Sequence, residues 1–300
     1  MNAFKLFSGA ILSMLLFSFG TKEDPITIKV KNSLNKQRSF ETVTLTKEFL
    51  KTNDLSVLGV KDKKTGKLLV TQVVDTNGDG VMDELLFQPV VAAKSTQEFE
   101  VIKVSDKVRP KSIEYCYSRF VPERTDDYTW ENDKVAFRVY GPVAQKMIED
   151  KIPGGTLSSG VDAWLKRVDY PIINKWYKKV VDKTGTYHED TGEGLDNFHV
   201  GSSRGVGGIA VKNKGQFYIG KNYTEYKTIT TGPIRTSFYL KYADWDANGN
   251  KIIESKIISL DLGSRLSKFE TSLKGTKTIA AGLTLHEKKG KVTGNKKRDG

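Results

Sequence analysis

Residues 227–260 read KTITTGPIRTSFYLKYADWDANGNKIIESKIISL, and this stretch decides the fold class. Its segments 227–231, 236–242 and 251–260 are rich in β-branched and aromatic residues. The turn-forming run Asp246-Ala247-Asn248-Gly249-Asn250 separates the last two. Short runs of this kind, bounded by turn residues, predict β-strands.

The same pattern extends outward in both directions. Segments 26–30, 41–45, 84–88 and 99–104 predict strands, and Lys63-Lys64-Thr65-Gly66-Lys67 predicts a hairpin turn between 57–60 and 68–74. Helical character is confined to 143–150, 161–168 and 171–179. Many short strands with few helices predict an all-β protein, a large β-sandwich with a few short helical insertions. We expect residues 21–105 to form an N-terminal β module and residues 106–300 the main β-sandwich, packed with the first as one unit.

The first twenty residues, MNAFKLFSGAILSMLLFSFG, carry one positive charge at Lys5 and then an apolar run to Phe19. A basic start followed by a short apolar run predicts a cleaved signal peptide. The run is too short for a membrane span, which needs about 20 apolar residues. The sequence therefore predicts a periplasmic or secreted protein. The single cysteine, Cys116, excludes an internal disulfide and is expected to be buried in a strand.

A net charge of +12 points first to a polyanionic partner. Nucleic acid is disfavoured because the chain carries an export signal and its basic residues are spread along its length. Outside the cytoplasm the available polyanions are acidic polysaccharides, which a positive field would steer towards a cleft. The alternative is a lysine-rich surface that serves solubility alone. No pattern selects an oligomeric state.

The segment Asp75-Thr76-Asn77-Gly78-Asp79-Gly80-Val81-Met82-Asp83-Glu84 places oxygen ligands at positions 1, 3, 5 and 9, with glycine at 6. This spacing is typical of calcium loops, but Leu86 stands where an EF-hand has glutamate, and the flanks are strands. The expectation is a structural Ca²⁺ site formed by Asp75, Asn77, Asp79 and Asp83. A metal-free turn stabilised by Asn and Asp side chains is the alternative.

Two further segments combine the residue types that sugar sites need. Aromatic faces pack against pyranose rings, and fixed polar groups bind hydroxyls and carboxylates. Segment 119–138 contributes the candidate substrate-binding residues Arg119, Arg124, Trp130, Asn132 and Arg138. An ion-paired surface loop is the alternative.

The glycine-rich segment 187–208 holds two of the three histidines, His188 and His199, together with Tyr187 and Arg204. Histidine exchanges protons near neutral pH, so this density indicates acid–base chemistry. Zinc binding by the two histidines is a weaker alternative, because no HExxH or related spacing is present.

The segments PERTDDYTWENDKVAFRVYGP, GVDAWLKRVDYPIINKWY and YHEDTGEGLDNFHVGSSRGVGG carry a resemblance. From about Ile26 to Gly300 the chain resembles a family of secreted bacterial proteins catalogued as a domain of unknown function. Its members occur in polysaccharide-utilisation loci and include an oligosaccharide dehydratase of ulvan breakdown. The resemblance implies a sandwich of the mutarotase or supersandwich type. It also implies that family members continue into an aromatic-rich strand beyond position 300.

The dehydratase activity implied by the resemblance would eliminate water across C4 and C5 of a terminal uronate. This reaction requires a base, an acid, and positive charge on the developing enolate, but no cofactor. From residue chemistry we expect His199 or His188 as base and Tyr187 as acid. Arg124, Arg138 and Arg204 would neutralise the carboxylate, and Trp130 and Trp164 would stack on sugar rings. Arg119, Asn132, Lys166 and Arg167 complete the expected substrate-binding set.

Three other functions stay open. A non-catalytic glycan-binding protein would use the same arginines and aromatics without needing a histidine. An epimerase or mutarotase is suggested by the fold relationship alone. A glycoside hydrolase would need a pair of carboxylates across the bond, for which Glu123, Asp126, Asp127 and Glu193 are available.

Overall fold

The computed structural model describes residues 25–200, 205–282, 291 and 293–294. The first strands form two three-stranded antiparallel sheets with the orders β1-β6-β3 and β2-β5-β4. Leu85, Phe87 and Phe99 pack between these sheets in a core of their own. The strands are β1 (Ile26–Lys31), β2 (Val43–Thr46), β3 (Leu58–Asp62), β4 (Thr71–Val74), β5 (Glu84–Phe87) and β6 (Thr96–Lys103).

A five-stranded antiparallel sheet with the order β11-β10-β9-β8-β7 follows, and we call it the site sheet. Its strands are β7 (Tyr117–Val121), β8 (Asp127–Glu131), β9 (Val135–Val139), β10 (Asp162–Lys166) and β11 (Gly194–Leu195). Cys116, just before β7, is buried and unpaired, as predicted.

The opposing sheet has the order β14-β15-β17, with β16 and β18 both paired to the long β17. A separate hairpin, β12-β13, precedes it. The strands are β12 (Val211–Asn213), β13 (Gln216–Tyr218), β14 (Tyr223–Thr230), β15 (Arg235–Tyr242), β16 (Trp245–Asp246), β17 (Lys251–Asp261) and β18 (Lys268–Lys274).

The main core lies between the site sheet and the opposing sheet. Tyr128 and Trp130 from one side meet Phe238, Leu240 and Ile258 from the other. Successive strand residues point to opposite faces, so only alternate residues of each strand enter this core. The predicted all-β sandwich with few helices is therefore confirmed.

The helices are α1 (Lys47–Leu50), α2 (Pro142–Glu149) and α3 (Ile173–Val181), with 3-10 turns at Asp106–Val108 and Pro122–Arg124. Helix α3 lays Ile173, Trp176 and Tyr177 on the outer face of the site sheet. Within the described residues no helix is long and apolar enough to span a membrane.

One local prediction was wrong, and one predicted hairpin is shorter than expected. Segment 161–168, predicted as helical, contains β10, because Asp162 to Leu165 pair with β9 along the sheet. The predicted 57–74 hairpin keeps its turn, in which Gly66 N donates to Asp62 O at 2.8 Å. The arms pair next to this turn, where Lys61 and Leu68 form an antiparallel bridge and Leu69 N donates to Val60 O at 2.8 Å. Beyond these residues the arms separate, since β3 pairs with β6 and β4 pairs with β5.

Candidate functional site

Arg138 lies at the centre of a buried polar cluster on the outer face of the site sheet. Its neighbours in β9 point into the main core, so the alternation of the strand turns Arg138 outward, beneath α3 and the segment that follows it. Only 5% of Arg138 is exposed. Its Nε donates to Asp162 Oδ2 at 2.8 Å, its Nη2 to Asp196 Oδ2 at 2.7 Å and its Nη1 to Tyr187 OH at 2.9 Å.

Three buried carboxylates surround this guanidinium, from Asp127, Asp162 and Asp196. Each has one buried oxygen, Oδ1, with no hydrogen-bond partner among the residues that the structure describes. Burial raises the pKa of Asp127 to about 6, against the opposing effect of Arg138. Burial likewise raises the pKa of Asp196 to about 6, and its contact with Asp162 adds to this shift. The carboxyls of Asp127 and Asp196 therefore take up protons near pH 6 rather than near pH 4, and both are mostly ionised at neutral pH.

His188 connects this buried cluster to solvent. Its side chain is 59% exposed, and its Nδ1 lies 3.0 Å from the backbone oxygen of Asp196 and 3.5 Å from Asp196 Oδ2. A carbonyl oxygen only accepts hydrogen bonds, so Nδ1 carries the proton in the neutral ring and Nε2 keeps a lone pair. The ring also packs edge-on against Tyr187, with 4.7 Å between centroids. An exposed imidazole with a fixed tautomer and a buried carboxylate behind it can act as a general base.

Tyr187 and Arg124 both lie at this site, but the position of the tyrosine suits a different role from the predicted one. Tyr187 is only 4% exposed, and its hydroxyl contacts the buried Arg138. The predicted proton donation by Tyr187 to a substrate does not fit this burial, and the residue instead orients Arg138. Arg124 is half-buried between Asp127 and Tyr187, and its Nη1 donates to Thr125 Oγ1 at 2.7 Å.

Both predicted stacking residues are enclosed by protein. Trp130 is 0% exposed within the main core, where its Nε1 donates to Ser267 Oγ at 2.9 Å. Trp164 is also 0% exposed and stacks on Trp176 and Tyr187 beside Arg138. Neither indole presents a face to a ligand, so the stacking role predicted for them is corrected to a packing role.

Lys166 and Asn132 form a structural unit beneath α3. The fully buried Lys166 ammonium lies 2.8 Å from Glu131 Oε2 and donates to Asn132 O at 2.6 Å. Glu131 in turn accepts from the backbone N–H groups of Ile172 and Ile173 at the start of the helix. A carboxylate at a helix N-terminus satisfies free N–H groups, so this ion pair positions α3 rather than a ligand.

The remaining predicted residues lie at the edge of the site or away from it. Arg119 Nε donates to Asn174 Oδ1 at 2.6 Å and its Nη2 to Glu123 Oε1 at 2.6 Å, which ties β7 to α3. The 68% exposed Arg167 donates to Asp190 Oδ2 at 2.6 Å, in the segment that carries His188. His199 is exposed. Arg204 lies outside the described residues.

The predicted calcium loop is organised by amides and lysines. Both oxygens of Asp75 accept from backbone N–H groups, of Gly78 and Gly80, and Asp79 Oδ1 accepts from Val81 N. The other two predicted ligands meet lysines: Lys47 Nζ contacts Asp83 at 2.8 Å, and Lys227 Nζ donates to Asn77 O at 3.1 Å. Among the described residues, no group of three or more His, Cys, Asp or Glu side chains could hold a metal ion. Calcium binding by this loop stays a prediction.

The sequence prediction missed Asp162 and Asp196 as members of the cluster. For Asp162 the reason is the helical interpretation of segment 161–168. Read as a strand, DAWLK places Asp162, Trp164 and Lys166 on one face, and all three side chains are buried there. A buried carboxylate and a buried ammonium on one strand face are a signal of a polar cluster, because buried charges need partners.

Residues 30–300 match the protein family described as domain of unknown function DUF4861. The chain is 57% identical over 290 residues to a Formosa agariphila protein described as "Uncharacterized protein P7", covering 95% of this chain and 73% of that protein. A crystal structure of a glycosyl hydrolase family 38 protein from Enterococcus faecalis is 13% identical, with a TM-score of 0.44 over 86% of this chain. An α-mannosidase structure from Enterococcus faecalis V583 is 11% identical, with a TM-score of 0.39. The chain spans 32% and 31% of the lengths of these two structures, and such distant likenesses say nothing about activity.

Proposed function

The chain belongs to the DUF4861 family, and we propose that it is a carbohydrate-active lyase of the dehydratase kind, acting outside the cytoplasm on acidic, ulvan-like oligosaccharides. The observation that carries this proposal is the exposed His188 imidazole, with its tautomer set by the backbone of Asp196 and a buried carboxylate behind it. The basic composition and the three segments that carry the family resemblance support the substrate class.

In the proposed reaction, His188 Nε2 removes the proton at C5 of a terminal uronate. The electron pair of that C–H bond forms the C4–C5 double bond, while the C4–O bond breaks. The same imidazole, now protonated, donates its proton to the departing 4-hydroxyl, which leaves as water. His188 thus returns to its starting state. A single group can serve as base and then acid because both reacting atoms lie on adjacent carbons.

Negative charge builds up on the uronate carboxylate as the C5 proton leaves, and the site must stabilise it. Arg124 is the cation that we assign to this task. It is half-buried, and it neighbours Tyr187, against which the His188 ring packs. Arg138 does not take this role because its donors already bind Asp162, Asp196 and Tyr187. It instead holds the Asp196 carboxylate behind the imidazole.

The test follows the ultraviolet absorbance of the conjugated C4–C5 uronate during incubation with a panel of uronate oligosaccharides. A rise without chain shortening is expected for a dehydratase, whereas a rise with shortening indicates a lyase that cleaves the chain. His188→Ala is expected to lower the rate about 10²- to 10⁴-fold. The control is Glu189→Gln, an exposed neighbour outside the cluster, which should keep the rate within about twofold.

Other outcomes separate the alternatives. A wild-type protein that binds the oligosaccharides but forms no unsaturated product would be a glycan-binding protein. A changed anomer or epimer ratio with no unsaturated product would indicate an epimerase or mutarotase. Unchanged turnover in His188→Ala would refute the assignment of the base.

A further inference from the structure

A cleft lies at the junction between the N-terminal sheets and the main sandwich, and none of the residues that line it belongs to the His188 site. Its volume is about 540 Å³, within the range of about 300 to 1,000 Å³ that is typical of small-molecule sites. We call it the junction groove. Its lining combines apolar, aromatic, hydroxyl, amide and cationic groups: Ser39, Phe40, Leu69, Val70, Gln88, Lys111, Ser112, Ile113, Tyr115, Pro233, Ile234 and Leu262.

The groove has a rigid floor. Ile234 is buried there, and its backbone N–H donates to Gln72 Oε1 at 2.9 Å, as does that of Arg235. Gln72 Nε2 returns a hydrogen bond to Arg235 O at 2.8 Å. One side chain from β4 thus binds the start of β15 through both ends of its amide, which fixes the two walls relative to each other.

Phe40 forms a preformed aromatic wall. The side chain lines the groove although half of the residue is exposed, and it rests against the backbone of Gly263. A Cβ added to Gly263 would lie 2.3 Å from the Phe40 ring, and Gly263 has a positive φ of 79°. The glycine therefore allows an approach that other residues would block. An exposed aromatic ring that is held in place loses little entropy when a ligand packs on it.

The polar groups of the groove offer a ligand one hydrogen-bond acceptor and one cation. Gln88 Nε2 donates to Phe40 O, Thr42 Oγ1 and Leu262 O at 3.0 to 3.2 Å, so the part of this amide left for a ligand is its oxygen acceptor. The exposed Lys111 supplies a cation. A purely apolar ligand would leave these polar groups without partners, which costs binding energy.

We propose that the junction groove binds one uronate residue of an acidic oligosaccharide, as a binding site separate from the chemistry at His188. The sugar ring packs against Phe40 and Tyr115, a sugar hydroxyl donates to Gln88 Oε1, and the carboxylate pairs with Lys111. The site shares the substrate class of the proposed function but does not depend on the reaction.

The test measures calorimetric binding of a uronate trisaccharide and of its carboxyl-reduced, neutral counterpart, in a His188→Ala background that prevents turnover. Phe40→Ala is expected to weaken binding of both sugars about tenfold, as for loss of an aromatic wall. Lys111→Gln is expected to weaken binding of the charged sugar about threefold at low salt and to leave the neutral one unchanged. The matched controls are Phe217→Ala and Lys212→Gln, an exposed cation–aromatic pair elsewhere whose Nζ-to-centroid distance is 5.6 Å.

Equal losses of binding affinity in the Phe217→Ala and Phe40→Ala variants would overturn the proposal. Displacement of the sugar by a simple aliphatic carboxylate would also overturn it, because the groove would then be a site for apolar anions. Thermal melting of each variant identifies any that fail to fold. In that case Gln88→Leu, which removes the acceptor, must weaken binding of both sugars. The proposed function is tested independently, because loss of turnover in His188→Ala does not depend on Phe40.

Discussion

Replacing Asp127 by asparagine is expected to reduce the dependence of stability on pH. The carboxyl of Asp127 is fully buried, and burial raises its pKa to about 6, compared with about 3.9 in an unfolded chain. Between about pH 4 and pH 6 the folded protein holds a proton on Asp127 that the unfolded chain has released. Stability therefore falls as the pH rises through this window and stays reduced above it.

The magnitude follows from the two pKa values. Ionisation of Asp127 lowers the free energy of unfolding by about 1.5 kcal/mol at pH 5 and about 3 kcal/mol at pH 8. Asparagine removes this contribution at both pH values. The change in unfolding free energy caused by Asp127→Asn should therefore be about 1.5 kcal/mol more favourable at pH 8 than at pH 5. Any pH-independent cost of the amide cancels in this difference.

The assay is urea unfolding at pH 5 and pH 8, followed by the fluorescence of Trp164 and Trp176, which stack on each other beside the cluster. A second variant, at Tyr177, is expected to change the pH dependence of stability in the opposite direction. Tyr177 OH donates to Asp127 Oδ2 at 3.0 Å and lowers the pKa of that carboxyl, so Tyr177→Phe should steepen the pH dependence. Identical changes in unfolding free energy for Asp127→Asn at both pH values would refute the reasoning.

Two further predictions concern sites away from His188. Lys256→Met is expected to lower the free energy of unfolding by about 3 to 5 kcal/mol, because it leaves the buried Glu254 carboxylate, 2.8 Å from Lys256 Nζ, without its cation. Adding Glu254→Gln should recover most of this loss, as measured by urea unfolding. Equal stability of the single and double variants would contradict the pairing. If Ca²⁺ binds the Asp75 loop with the 10⁻⁴ to 10⁻³ M affinity of extracellular modules, 10 mM Ca²⁺ should stabilise the protein by about 1.5 to 3 kcal/mol. Asp75→Asn should abolish the rise in melting temperature, and an unchanged wild-type melting temperature would show that Lys227 and the backbone amides suffice to order the loop.

Local patterns predicted the elements whose neighbours are close in sequence. The alternation in residues 251–260 appears as β17, and the helical pattern at 171–179 appears as α3. The pattern failed at 161–168, where the helical propensity of a short segment was weaker than the hydrogen bonds of β10 to β9. Short segments of this kind are decided by their partners, because propensities contribute only fractions of a kcal/mol per residue.

The candidate site shows the same contrast between what local sequence predicts and what tertiary contacts decide. Its exposed member, His188, was predicted from residue type and the density of polar groups on a glycine-rich segment. The roles of the buried members were not, because aromatic and charged residues serve either ligands or the interior, and the choice depends on which face of a strand is covered. Trp164 and Lys166 lie beneath α3 and are structural for that reason.

By itself, the sequence determined the β-rich class, the short helices α2 and α3, the basic character of the surface and the segment that carries the exposed histidine, because each depends on composition or on contacts within a few residues. Only the tertiary structure decided that Asp127, Asp162 and Asp196 meet around Arg138, and that Phe40 rests on Gly263 across the junction groove. These contacts join residues from 11 to more than 200 positions apart, and sheet register sets those among Asp127, Arg138 and Asp162, which lie in β8, β9 and β10. A shift of one residue in register would turn every one of these strand side chains to the opposite face.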